Sequence, residues 1–196
     1  MTGNALMHYF KYLLGLDKPD TQTTLNERNA ISEYAANAKC CVEIGVFEGV
    51  NTITIAEAMD AHGKLYAIDP FFKGSLGICY HEKIAKNSIR SKKLGKRVKL
   101  LPLFSYDAVK EVPDEIDFIF IDGDHSYEGI KRDWEDWAKK LAPGGIIALH
   151  DTSVPVHNPA ISELGSYRFY NEVIVMDNKF EKKATVDSLN ILKKIK

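Results

Sequence analysis

Val42-Glu43-Ile44-Gly45-Val46-Phe47-Glu48-Gly49-Val50-Asn51-Thr52 decides how this chain is read. An apolar run meets an acidic residue, two glycines follow, and a helix-compatible segment begins at about Asn51. That order is a strand, a tight turn and a helix N-terminus, which together hold an anionic group on free backbone N–H donors. Twenty residues beyond Gly49, Asp69 ends a second apolar run, Leu65-Tyr66-Ala67-Ile68. A carboxylate at the tip of the next strand is placed to accept hydrogen bonds from ribose hydroxyls. The two segments together read as an adenosine-binding α/β protein.

The bulk composition agrees. At 196 residues, 45% apolar and 27% charged, the chain suits one globular domain over residues 1–196 with a full core. A net charge of -1 gives no global attraction to nucleic acid or to a membrane surface. The basic run from Arg90 to Lys99 reads as a solvated face at a helix end. Three cysteines, Cys40, Cys41 and Cys79, form neither an even disulfide framework nor a CxxC pair, so a reducing, cytoplasmic location is expected. The apolar stretch from Ala5 to Leu16 is broken by His8 and Lys11 and lacks the flanks of a signal peptide. It reads as an amphipathic helix that packs, with the rest of residues 1–37, on the domain or on a second subunit of a homodimer.

Thr24 and Glu27 form a capping-box pattern that opens a second helix. Strands are then expected at Cys41–Ile44, Leu65–Ile68, Val98–Leu103, Asp117–Ile121 and Ile146–Leu149, the last entered through a Pro143-Gly144-Gly145 turn. Helices are expected from about Asn51 to Met59, His81 to Leu94 and Tyr127 to Leu141, with a loop over Phe71 to Gly77 and a short helix after Ser105. This alternation predicts a doubly wound α/β fold with a parallel sheet. The tail breaks it. A helix from Gly165 to Val175 precedes two short strands near Lys179–Ala184 and Leu189–Leu192, which would pair as an antiparallel hairpin.

Glu43-x-Gly45-x-x-x-Gly49, Tyr66-Ala67-Ile68-Asp69-Pro70 and Asp117-Phe118-Ile119-Phe120-Ile121-Asp122-Gly123-Asp124-His125-Ser126-Tyr127-Glu128 resemble class I S-adenosylmethionine-dependent methyltransferases. The likeness is strongest to the branch whose fifth strand ends in His-Asp-Thr, here His150-Asp151-Thr152, related to the catechol-type and macrolide-sugar O-methyltransferases. It runs from about Thr24 to the C-terminus and implies a Rossmann-like, seven-stranded sheet with a C-terminal antiparallel hairpin. A dinucleotide fingerprint is disfavoured, because Phe47 and Glu48 fill the turn and a pyrophosphate would meet the Glu48 carboxylate.

The resemblance implies roles for named residues. Glu43, Gly45, Val46, Phe47, Gly49 and Thr52 would surround the methionine portion of S-adenosyl-L-methionine, and Asp69 would hold the ribose. Pro70, Phe71, Ser105 and Tyr106 would border the adenine. Each has a bland alternative: Glu43 can cap its turn, and Ser105 and Asp107 can cap a helix. Asp122 and Asp151 end strands that the implied fold places about 4.8 Å apart, where two carboxylates repel unless a cation or proton intervenes. Relatives hold Mg²⁺ there. Here Thr152 replaces an amide ligand and His150 an acid, so two readings stay open: a shared Mg²⁺, or Asp122 on the cofactor and Asp151 capping a loop. His125 has the pKa range to take a proton from a substrate hydroxyl, against the alternative that it caps the next helix.

The leading reading is methyl transfer to a hydroxyl oxygen of a small-molecule acceptor, with catalysis by His125 and Asp122. The alternatives are a non-catalytic S-adenosylmethionine-binding protein and an NAD-dependent oxidoreductase. The acceptor pocket is expected from the region between Asp151 and Tyr170, the loop Phe71 to Tyr80 and the N-terminal helix, segments that hold Tyr80, His81, Tyr167, Arg168 and Tyr170; the same aromatics can equally be core.

Overall fold

The computed structural model describes residues 2–74 and 77–196; two residues of the loop expected over Phe71 to Gly77 lie outside them. Strand β1 (Cys40–Ile44) is central, parallel to β2 (Lys64–Ile68) on one side and to β4 (Ile116–Ile121) on the other. Beyond β2 lies β3 (Val98–Leu101), and beyond β4 lies β5 (Leu141–Leu149), both parallel to their neighbours. The last strands, β6 (Phe180–Val186) and β7 (Leu189–Lys194), add an antiparallel hairpin, and the order is β3-β2-β1-β4-β5-β7-β6. The Rossmann-like fold and its hairpin thus match the sequence reading. The winding reverses between β1 and β4, which opens a crevice at their C-terminal ends.

Alternation along β4 builds both layers of the core. Phe118 and Phe120 pack with Ile31 of α2 (Leu25–Ala35), Ile55 of α3 (Val50–Ala58) and Ala85 and Ile89 of α4 (Tyr80–Ser91). Ile119 and Ile121 pack on the other face with Ala108 of α5 (Ser105–Ala108), Trp134 and Trp137 of α6 (Tyr127–Trp137) and Phe169 of α7 (Gly165–Glu172). A strand covered on both faces has no solvent-facing position to fill with polar residues, hence the near-continuous apolar run.

Several boundaries differ from expectation; β3, α4, α6 and α7 end two to four residues early. Pro143-Gly144-Gly145 does not precede β5 but lies inside it: Leu141 pairs with Ile116, and the ladder resumes only at Ile146 opposite Phe118. Proline cannot donate to the ladder and Gly144 takes a φ of +85°, so the trio forms a bulge and not a turn. The first helix, α1 (Thr2–Leu13), starts and ends three residues ahead of the apolar stretch and rests on α4 through a Tyr12 Oη to Ser88 Oγ hydrogen bond of 3.0 Å. The capping box of α2 is formed as read, with the Glu27 amide on Thr24 Oγ1 at 3.1 Å and the Thr24 amide on Glu27 Oε2 at 2.7 Å.

Gly45 sets how closely β1 and β4 approach at their tips. Its φ is +91°, and a Cβ there would stand 1.9 Å from the backbone oxygen of Asp122. Gly45→Ala is therefore expected to cost about 1–3 kcal/mol from strain and overlap. Urea denaturation checks this; an unchanged midpoint would show that the turn can move away from Asp122.

Candidate cofactor site and the strand-tip ion network

A cavity of about 810 Å³ lies over the C-terminal ends of β1, β2 and β4. Among the residues singled out from the sequence, Gly45, Val46, Phe47, Asp69, Pro70 and Phe71 line it. So do Ser105, Tyr106, Asp122 and His125. Glu43, Gly49, Thr52 and Asp151 do not reach its wall.

Asp69 organises the turn it faces. Its Oδ2 accepts the amides of Val46 and Phe47, each at 3.0 Å, and its Oδ1 accepts the Phe71 amide at 2.7 Å. Phe47 and Phe71 adopt φ values of +52° and +45°, and these bonds hold that strained backbone. The carboxylate is half-buried, which leaves lone pairs toward the cavity.

Glu43 sits beneath the turn, fully buried, with Thr52 Oγ1 donating to its Oε2 at 2.5 Å and its Oε1 without a partner. Burial, with Asp122 and Asp69 nearby, pushes its carboxyl well above the usual range and so favours the neutral form. Its place is structural support under the Gly45–Phe47 turn.

Glu48 departs from the reading of a carboxylate facing the ligand. It is fully buried and absent from the cavity wall, accepting the Asp20 amide at 2.6 Å, His8 Nε2 at 3.0 Å and His81 Nδ1 at 2.9 Å. Burial works against its charge, but bonds from His81, Asp20 and His8 keep the carboxyl below its usual value. This cluster ties α1 and the segment after it to the turn, and it brings Asp20, Thr21 and Gln22 into the cavity wall.

At the strand tips, imidazoles occupy the space between the acids. His125 Nε2 lies 3.2 Å from Asp122 Oδ1, and its Nδ1 lies 3.1 Å from Asp151 Oδ2. His150 Nδ1 lies 2.9 Å from the same Asp122 oxygen, and its Nε2 lies 3.4 Å from Glu27 Oε2. The result is a line of alternating charge, Glu27–His150–Asp122–His125–Asp151. Burial alone would lower both imidazoles, yet the carboxylates raise His125 to about 9 and His150 to about 10. Burial likewise opposes ionisation of Asp122, but the hydrogen bonds from His125 and His150 hold it well below the usual carboxylate range. His125 does not cap α6; Ser126 does, its Oγ accepting the Gly129 amide at 3.0 Å.

This donor set does not fit Mg²⁺. The groups that converge on one point are Asp122, His125 and His150, whereas Mg²⁺ takes an oxygen octahedron and imidazole suits other ions. The repulsion between Asp122 and Asp151 is answered by a protonated side chain of the protein itself.

Of the segments expected around the acceptor, the loop lines this cavity through Phe71, Phe72 and Cys79. Tyr80, Tyr167, Arg168 and Tyr170 do not line the cavity; His81 does. Tyr170 is buried in the core and Arg168 lies over the Tyr127 ring at 5.1 Å, because α7 packs against α6. Sequence reasoning missed Asp133, which lines the cavity and is buried. A signal was present: Ile130, Asp133, Trp134 and Trp137 share the inward stripe of α6, and an acid on such a stripe needs a partner. No comparable signal marked Glu27 or His150 as members of one network.

Comparison with known proteins gives the class. A methyltransferase-domain family matches residues 42–152. An O-methyltransferase from Bacillus cereus, in complex with SAH, superposes with a TM-score of 0.68 at 21% identity, covering 98% of this chain and 91% of that one. TomG, an O-methyltransferase from Streptomyces achromogenes in complex with SAM, gives 0.68 at 16%, covering 98% and 90%. Protein R132 of Acanthamoeba polyphaga mimivirus, of uncharacterised function, is 30% identical over 115 residues, 56% of this chain. The chain spans about half the length of that curated relative. The chain belongs to the methyltransferase-domain family, and it has the Rossmann-like fold of the methyltransferase structures it superposes on. Neither the nicotinamide-dependent nor the binding-only alternative is favoured. Among the described residues no helix is long and apolar enough to cross a membrane.

The ion network makes stability depend on pH in a stated direction. The raised His150 contributes fully below its unfolded value of 6.5 and fades as pH climbs through about 10. The lowered Glu27 contributes above 4.5 and fades as pH falls through about 2. His150→Gln should cost about 3–5 kcal/mol by breaking a buried pair. The melting-temperature gap from wild type should be widest between pH 4.5 and 6.5; a gap independent of pH would refute the ionic account.

Proposed function

We propose that this methyltransferase acts on a hydroxyl oxygen of a small molecule, with His125 receiving the hydroxyl proton. The observation that carries the reading is the His125 imidazole, on the cavity wall and one-quarter exposed, held between Asp122 and Asp151. In this reading the Gly45–Phe47 turn faces the methionine portion and Asp69 accepts the ribose hydroxyls. The adenine lies by Pro70, Phe71, Ser105 and Tyr106. Residues 1–196 act as one cofactor-binding unit, with residues 1–37 packed on it.

The acceptor oxygen attacks the methyl carbon, the carbon–sulfur bond breaks, and its electron pair stays on sulfur to leave S-adenosylhomocysteine. Alignment of oxygen, carbon and sulfur supplies much of the rate. Both ring nitrogens of His125 face carboxylates, so in neutral His125 the unprotonated nitrogen turns from its carboxylate to the acceptor and takes the hydroxyl proton, while the other ring N–H stays on its own carboxylate. Because Asp122 and Asp151 raise His125 to about 9, the free enzyme holds that proton at neutral pH and only a minor fraction is competent.

Conversion of S-adenosylmethionine to S-adenosylhomocysteine on a panel of hydroxylated acceptors tests this. With a turned-over acceptor, kcat/KM should rise about tenfold per pH unit below a plateau near 9. A flat profile over that range would remove His125 as the base. His125→Ala should lower turnover about a hundredfold or more with S-adenosylhomocysteine affinity little changed. Full activity in chelator is expected; loss on chelation with recovery on adding Mg²⁺ would reinstate the metal.

Asp69→Ala should weaken S-adenosylhomocysteine binding by about 1.5–3 kcal/mol for each charge-assisted bond lost. Calorimetry with unchanged affinity would overturn the ribose assignment.

A further inference from the structure

Asp133 is an acid where the packing calls for an apolar residue. It comes from the inward stripe of α6 and is only 4% exposed, yet its carboxylate reaches the cavity wall. One oxygen has a fixed partner: Ser105 Oγ, at the start of α5, donates to Oδ1. The other, Oδ2, accepts no hydrogen bond among the described residues. It stands 3.3 Å from where a Cβ of Gly123 would be, so the missing side chain keeps the space beside it open. Burial, reinforced by Asp124 and Asp136, raises the carboxyl to about 6, which leaves it largely ionised at neutral pH. Oδ2 is not fully buried and is open to the cavity, and a donor arriving there meets an ionised acceptor whose bond is still unmade.

The position of Asp133 identifies the donor. Asp69 ends β2, and the cavity continues from it toward Phe104, Ser105 and Tyr106 at the end of β3, the outer neighbour of β2. A nucleoside with its ribose on Asp69 directs its base to that side. The edge of adenine that carries an N–H donor is its 6-amino group.

We infer that Asp133 is a specificity-determining residue, its Oδ2 accepting a hydrogen bond from the adenine 6-amino group while Ser105 fixes the carboxylate through Oδ1. The inference rests on the cofactor orientation proposed above. A base with a carbonyl at that position sets oxygen against oxygen, and a site built around a hydrogen bond rejects the analogue that cannot make it.

Calorimetry with S-adenosylhomocysteine and S-inosylhomocysteine, in which a carbonyl replaces the 6-amino group, tests this. Wild type should bind the adenosine ligand at least about tenfold more tightly. Asp133→Asn, whose amide can present either a donor or an acceptor, should bring the two affinities within about threefold of each other. Equal affinities in wild type, a comparison that needs no variant, would overturn the inference and leave the cofactor orientation standing. A preference that persists in a folded Asp133→Asn would also overturn it and assign the discrimination elsewhere. No binding of S-adenosylhomocysteine would instead overturn the cofactor reading beneath it.

Discussion

Asp122 is the residue on which the functional end of this molecule depends. The ladder fixes it: its amide bonds Ile44 O at 2.8 Å, one step past the last pair of β1 and β4, and its backbone oxygen leaves room only for a glycine at position 45. A carboxylate held there, mostly removed from water, must be compensated. His150 and His125 do so on a single oxygen, and each imidazole then needs an acid of its own. Glu27 meets the first from α2, and Asp151 meets the second from the end of β5. The network therefore joins both layers of the fold at the place where the chemistry is proposed. Its stabilising charge pattern is also what raises the His125 pKa above neutrality.

A second carboxylate plays a comparable part in shaping the cofactor turn. Asp69 collects three backbone amides, two of them from strained or adjacent positions in the turn, and so holds that turn in a conformation the sequence alone would not favour. Beneath it Glu43 favours the neutral form and is bonded to Thr52; beside it Glu48 is charged and bonded to three donors. Two acids beside the same turn, Glu43 and Glu48, are thus shifted in opposite directions. The differences come from burial and from the donors that tertiary packing delivers.

Some of this was legible in the chain. The apolar runs, the glycine turn, the capping box at Thr24 and the absence of a helix between the last two strands each carry local chemistry, and they determined the element order and the sheet. The fold was readable because strand burial and helix periodicity are written into neighbouring residues. The Pro143-Gly144-Gly145 bulge was read as a turn because both structures favour the same residues, and only pairing with Ile116 and Phe118 distinguishes them. Tyr170 of α7 went to the core and not to the cavity, a choice its sequence leaves open because aromatic residues look alike whether they face a ligand or another helix.

The sequence by itself determined which residues stand at the tips of β1, β2, β4 and β5, since a strand tip follows from where an apolar run stops. It therefore named Gly45, Asp69 and Asp122 as strand-end residues, and the family resemblance set Asp151 beside Asp122. What it could not determine was which side chains meet across the crevice. Glu27 and His150 are 123 positions apart, and His8, Glu48 and His81 come from three separate segments. Tertiary packing alone decided that the cation between Asp122 and Asp151 is an imidazole of the chain itself, because that outcome depends on distances of about 3 Å between groups that share no local pattern.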